Sequence, residues 1–149
     1  MENFSSFTAL DSQFSIMLRL EIVTPEKKVV DTEADSVTIP TASGEAGILP
    51  NHAPLISALK PGILAYTNRG ATERIAIAGG FVEVSHDKVS VLADSAETAS
   101  QIDAASARAD LEAAQNAITA AAMQPIEETE SLREDLDSAN VRLQLAAGK

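Results

Sequence analysis

Apolar and charged residues take alternate places in Leu18-Arg19-Leu20-Glu21-Ile22. A strand sends successive side chains to opposite faces, so this spacing predicts a strand with one face on a core and one in water. The same reading predicts strands at Lys28–Val30, Ser36–Pro40, Leu55–Leu59, Ile63–Thr67, Glu73–Ala78, Phe81–Ser85 and Lys88–Leu92. Turn formers separate them: Gly44, Gly47, Pro50, Pro54, Pro61-Gly62, Asn68-Arg69-Gly70, Gly79-Gly80 and His86-Asp87. Short strands with turn signals every ~8–12 residues point to an antiparallel sandwich or barrel. A βαβ arrangement would need helical crossovers, and no helical window precedes Ala96.

The period changes near Ala96. Residues 97–149 hold 14 alanines, and Ala has the highest helix propensity. Ser100 with Asp103 matches a capping box, ahead of a helix expected over about 101–122. Pro125 suits the first turn of a second helix, with Glu127 and Glu128 well placed on its dipole. Ser131 with Glu134 is a competing start. Leu132, Leu136, Ala139, Leu143 and Ala146 form one apolar stripe at helical spacing. The first helix is less regular: Ile102, Ala105 and Ala109, then Leu111, Ala114, Ile118 and Ala121. The expected fold is mainly β plus α. An N-terminal antiparallel β-sandwich over 17–96 precedes a C-terminal antiparallel two-helix hairpin over 97–149. Residues 1–16 are read as a flexible extension. At roughly 25 cal/mol per Å2, an Ala seam stabilises far less than a Leu seam, so the hairpin is expected to open or detach.

Composition narrows the chemistry. Of 149 residues 45% are hydrophobic but only 3% aromatic, with no Trp, so the core is aliphatic. The absence of Cys excludes disulfides and thiolate metal sites. A net charge of -11 repels nucleic acid and anionic head groups. Lys27-Lys28 is the only adjacent basic pair. No run reaches the ~20 apolar residues of a membrane span. Residues 1–16 lack the basic and apolar regions of a secretory signal; with Glu2, Asp11 and no Arg they do not read as a mitochondrial presequence either. Met17 is an alternative start, because the strand pattern begins right after it.

The stretch Gly44-Glu45-Ala46-Gly47-Ile48-Leu49-Pro50-Asn51-His52-Ala53-Pro54-Leu55 resembles the epsilon subunit of bacterial F-type ATP synthases. Four more stretches agree in order: Leu20–Pro25, Leu59–Gly62, Gly79–Val84 and Val89–Ala96. The resemblance runs from about Leu18 to Ala109 and more weakly beyond. It implies a non-catalytic rotor subunit of the central stalk. Such a subunit packs on the gamma subunit and on the c-subunit ring, and couples proton-driven rotation to ATP synthesis. Its C-terminal helices make transient contact with the alpha and beta subunits. The implied location is peripheral, on the cytoplasmic face of the plasma membrane, without insertion.

The resemblance also nominates residues. Glu45 and His52 match positions that face the polar loops of the c ring. A turn rigid with Gly and Pro presents side chains well; the plainer reading is that those residues only shape the turn and His52 caps backbone groups. A metal or catalytic role for His52 has little support, since His86 is the only other histidine. Phe81 is expected in the core, with Gly79-Gly80 allowing a bulge or a close backbone approach.

Some family members bind ATP through (Ile or Leu)-Asp-x-x-Arg-Ala. Here the stretch is Ile102-Asp103-Ala104-Ala105-Ser106-Ala107, so Ser106 stands where the motif has Arg. A hydroxyl cannot replace the cationic fork that holds phosphate. Glu97, Asp103 and Arg142 are the remaining candidates, and weak or no ATP binding is expected. Residues 97–149 carry ten acidic and four basic groups, a net of -6. Inhibitory hairpins of the family are rich in basic residues, so inhibition of ATP hydrolysis is expected to be modest. No cofactor is called for. No nucleophile, elbow motif or histidine cluster marks an enzyme. The competing reading is a free-standing β-sandwich binding module with a helical oligomerisation tail.

Overall fold

Residues 17–148 are described by the structure, a computed structural model; the extension read over 1–16 lies outside them. The strands are β1 (Leu18–Val23), β2 (Lys28–Ala34), β3 (Ser36–Thr41), β4 (Gly44–Ile48), β5 (Leu55–Ala58), β6 (Gly62–Asn68), β7 (Ala71–Ser85) and β8 (Lys88–Thr98). Their order is β2-β1-β8-β7-β6-β3-β4, with β5 also on β7. The pairing is antiparallel except where β1 meets β8, which is parallel. The expected antiparallel β-sandwich is what the chain forms, with one parallel seam that the sequence pattern did not predict. The two strands lie far apart in sequence, so no hairpin turn sets their direction.

Two long strands join the layers. The first part of β7 pairs with β6 and its last part with β5, while β8 follows its other edge. Ile75 and Ile77 face the core before Gly79-Gly80, whereas Val82 and Val84 face it afterwards. The inward parity switches from odd to even. Register does not slip, since Ala78 pairs Ser95 and Gly80 pairs Ala93, so no residue is inserted as in a bulge. The switch comes instead from backbone rotation: φ is +66° at Gly79 and +107° at Gly80, values that L side chains resist. A Cβ on Gly80 would also land on the Leu92 carbonyl and Ala93 Cα.

The parity switch corrects the expectation for Phe81. Its neighbours Val82 and Val84 fill the core, and Phe81 lies on the outer face. The core between the layers is aliphatic, built on Leu18, Leu20, Ile22, Ile39, Leu64 and Val91 among others. Gly44–Ile48, read as part of a turn, is the strand β4 instead. Its Gly residues hid the signal, yet Ile48 points inward and Glu45 outward.

A short 3-10 turn (Ala99–Gln101) leads from β8 to helix α1 (Ala104–Ala120). A second (Ile126–Thr129), opening after Pro125, leads to α2 (Glu130–Ala147). The cap of α1 is Asp103 rather than Ser100, its carboxylate accepting from the Ala105 and Ser106 amides. Thr98 and Gln101 form a capping box one turn earlier. In α1, Ala105 and Ala109 face solvent, while Ala107 is buried, Leu111, Ala114 and Ile118 are half-buried, and Ala121, at the helix's C-cap, is buried. The expected stripe of α2 packs inward, joined by Leu145. Ile102, Ala107, Leu145 and Ala146 pack over Ala76 and Ile63, closing the outer face of the β6–β7 layer.

Candidate functional site

The other outer face is bare. Ala58 pairs Phe81, Phe81 pairs Leu92, and Leu92 pairs Val23, which makes one apolar row across four strands. Phe81 and Leu92 are each 60% exposed and neighbouring Ile56 is 75% exposed. Large apolar side chains clustered on one exposed face mark an interaction surface more often than chance. A groove of about 440 Å3 runs beside the row, lined by Val23, Pro25, Phe81 and Leu92.

Beyond the row the face turns ionic. Lys88 Nζ lies 2.9 Å from Glu21 Oε1, and Lys28 Nζ lies 3.4 Å from both Glu21 and Asp31. Arg19 also pairs with Asp31. The hydrogen bond from Lys88 holds the Glu21 carboxyl below its ordinary range, and Arg19 does the same for Asp31. Asp31 in turn raises Lys28. These groups lie open to water, so they align the strands more than they stabilise them.

At one end of the sandwich stands the turn Leu49-Pro50-Asn51-His52. The His52 amide donates to the Leu49 carbonyl at 3.1 Å, with φ at Asn51 of +68°. Pro then a left-handed residue is the pattern of a type II turn. Leu49 is thrust outward. His52 Nδ1 donates to the Ala53 carbonyl at 2.6 Å. Glu45 lies on β4, exposed, rather than on a loop with His52. Asp87 was not singled out from sequence. Its carboxylate accepts the Asn51 amide at 2.7 Å, tying this turn to the β7–β8 hairpin. The only local sign was the His86-Asp87 turn pair, and the partner lies 36 residues away.

The candidates for ATP binding divide. Arg142 Nε donates to Glu97 Oε1 at 2.8 Å and Nη2 to Oε2 at 3.4 Å. Arg142 Nη1 donates to Asp110 Oδ2 at 2.8 Å. The Glu97 hydrogen bond raises the Arg142 pKa further. Asp103 is not among these groups, since it caps α1. Among the described residues no cluster of three or more His, Asp or Glu could hold a metal ion. No helix among them is long and apolar enough to cross a membrane.

The class defined by the fold is a β-sandwich with one bare apolar face and the other covered by a C-terminal helical hairpin. Comparison with known proteins is specific. The model for the ATP synthase Delta/Epsilon chain beta-sandwich domain matches residues 17–99, and the chain belongs to that family. It is 42% identical over 130 residues to the ATP synthase epsilon chain of Synechococcus sp. (strain WH7803), covering 87% of this chain and 96% of that one. It is 44% identical over 133 residues to the epsilon chain of Herpetosiphon aurantiacus, covering 87% and 93%. Against that of Desulfitobacterium hafniense (strain DSM 10664 / DCB-2) it is 49% identical over 100 residues, covering 67% and 76%. A chain in the cryo-EM structure of the Euglena gracilis mitochondrial ATP synthase, OSCP/F1/c-ring, shares the fold with a TM-score of 0.69 at 23% identity, covering 90% of this chain and 82% of that one. A chain of the Tetrahymena thermophila mitochondrial ATP synthase central stalk/c-ring gives 0.53 at 14%, covering 88% and 94%.

Proposed function

We propose that this chain is a non-catalytic central-stalk subunit that couples c-ring rotation to ATP synthesis, docked by its bare face on the gamma subunit. The observation that carries this reading is the exposed row Ala58–Phe81–Leu92–Val23 with Ile56 beside it. A row of this kind gains by burial against a partner, at ~25 cal/mol per Å2 of apolar area. Turn 49–52, with Glu45 on the neighbouring strand, faces the polar loops of the c ring in this reading. Asp87 then acts as a positioning residue for that turn. The hairpin makes transient contact with the alpha and beta subunits and restrains hydrolysis modestly, because its net negative charge opposes docking on an acidic surface. The chain is peripheral, on the cytoplasmic face of the bacterial plasma membrane.

An internal pair of carboxylates occupies the guanidinium of Arg142, so a phosphate would have to displace them. That supports weak or absent ATP binding. The free-standing module with an oligomerising tail fits less well, because the hairpin's apolar stripes pack on each other and on the sandwich. The test is co-purification of the full chain with gamma. Wild type is expected to be retained, and Phe81→Asp to lose at least tenfold in capture with the far-UV spectrum unchanged. Equal capture of both would overturn the assignment of the face, and no capture of wild type would overturn the function.

A further inference from the structure

Among the described residues, Arg142 is a charged side chain that links β8 and both helices. Arg142 leaves α2, grips Glu97 near the end of β8 with two nitrogens, and reaches Asp110 on α1 with the third. Arg142 and Glu97 are 23% and 30% exposed, against 59% for Asp110. The shielded half of this arrangement is thus the half that crosses from hairpin to sandwich. Ion pairs gain strength as water is removed, and a forked guanidinium–carboxylate contact is the strongest common form.

The fully buried apolar part of the same contact is small: Ala76, Ala107 and Ala146 with Ile102 and Leu145, while Ile63, Val141 and Leu143 pack half-buried against it. Methyl groups bury little area each. Glu97 lies immediately before the connecting segment 98–103, which contains the 3-10 turn and the cap of α1. A hairpin swinging about that segment keeps Arg142–Asp110, since both residues belong to it. It must break Arg142–Glu97.

We propose that the Arg142–Glu97 pair is the latch that holds the helical hairpin against the sandwich, and that the Arg142–Asp110 pair acts only within the hairpin, joining α1 to α2. Docking then depends on groups of the chain itself and needs no added ligand. The two carboxylates have separable roles. Loss of Glu97 frees a hairpin that stays helical, whereas loss of Asp110 loosens the packing of α1 on α2.

The chain lacks cysteine, so spin labels at Ser43→Cys and Ser131→Cys, both at exposed positions, report docking directly. In the labelled full chain a single narrow distance is expected. Glu97→Gln, which removes the charge and turns a donor toward Nη2, is expected to raise the undocked, broadly distributed population at least tenfold. Arg142→Ala is expected to do the same, with the far-UV spectrum confirming that helices remain. Asp110→Asn is expected to keep the narrow distance and to speed amide exchange along α1 several-fold. A narrow distance retained in both Glu97→Gln and Arg142→Ala would overturn the proposal. Undocking by Asp110→Asn as complete as by Glu97→Gln would also overturn it, moving the holding force into the hairpin's own packing.

Discussion

The two outer faces of the sandwich come from the same strands and meet opposite fates. On β7, Ala76 is buried beneath the hairpin, while Phe81, five positions on, stands in solvent. The smaller residue lies on the covered face and the larger on the bare one. Burial alone would argue for the reverse. The arrangement makes sense if the covered face must release its partner and the bare face must hold a permanent one. A seam in which alanines alternate with a few larger residues opens more cheaply than one of large residues alone, whereas a row of Phe, Leu and Ile gains much from a lasting cover. An ion pair then supplies the specificity that the small seam lacks.

The corner between the faces is the first place to break this contrast. Gly80→Ala is expected to cost about 2–4 kcal/mol, from left-handed backbone strain and from collision with β8, read as a fall in the urea midpoint. Gly47→Ala is the control, because nothing lies within 4 Å of its added Cβ; there a change within about 0.5 kcal/mol is expected. Equal losses at both sites would show that the corner carries no special constraint.

Placing one charge on each face sharpens the contrast. Ala76→Asp buries a carboxylate under the hairpin, and an unpaired buried charge costs several kcal/mol. Lifting the hairpin is the cheaper escape. Amide exchange along the helices is therefore expected to rise at least tenfold while the sandwich midpoint changes little. Phe81→Asp is expected to leave both unchanged, because its side chain is already in water.

Smaller effects follow from the ionic border of the bare face. Glu21 and Asp31 have lowered pKa values in the folded chain, chiefly from the Lys88 and Arg19 hydrogen bonds. Between the unfolded and folded values the unfolded chain binds more protons, so stability falls as pH falls. Their contribution is complete above the ordinary carboxylate range of about 4 and is lost as pH drops through the folded values. Urea midpoints from pH 6 to 2 are expected to show a shallower acid limb in Glu21→Gln. An unchanged limb would remove Glu21 from the account. Smallest of all is the response to nucleotide: millimolar ATP is expected to leave the amide NMR shifts of residues 97–146 in place. Micromolar binding would show that phosphate can displace Glu97 and Asp110 from Arg142.

Much of this molecule was legible along the chain, where its rules are local. Alternation marked β1 and β8, and turn residues marked most of the hairpins. Ala content and the Leu132–Ala146 stripe marked the helices, and the family pattern around Gly44–Leu55 was visible as it stands. Local rules failed where distant segments decide. Gly79-Gly80 beside Phe81 allows a bulge as readily as the backbone rotation that reverses the inward face, and only the unbroken pairing with β8 separates the two. The parallel pairing of β1 with β8 is likewise invisible in either strand alone. Glu97 and Arg142 were candidates for a nucleotide, yet they lie 45 residues apart and bind each other. Periodicity records which side of an element is apolar. It does not record what covers that side, since the cover arrives only when strands and helices far apart in sequence pack together.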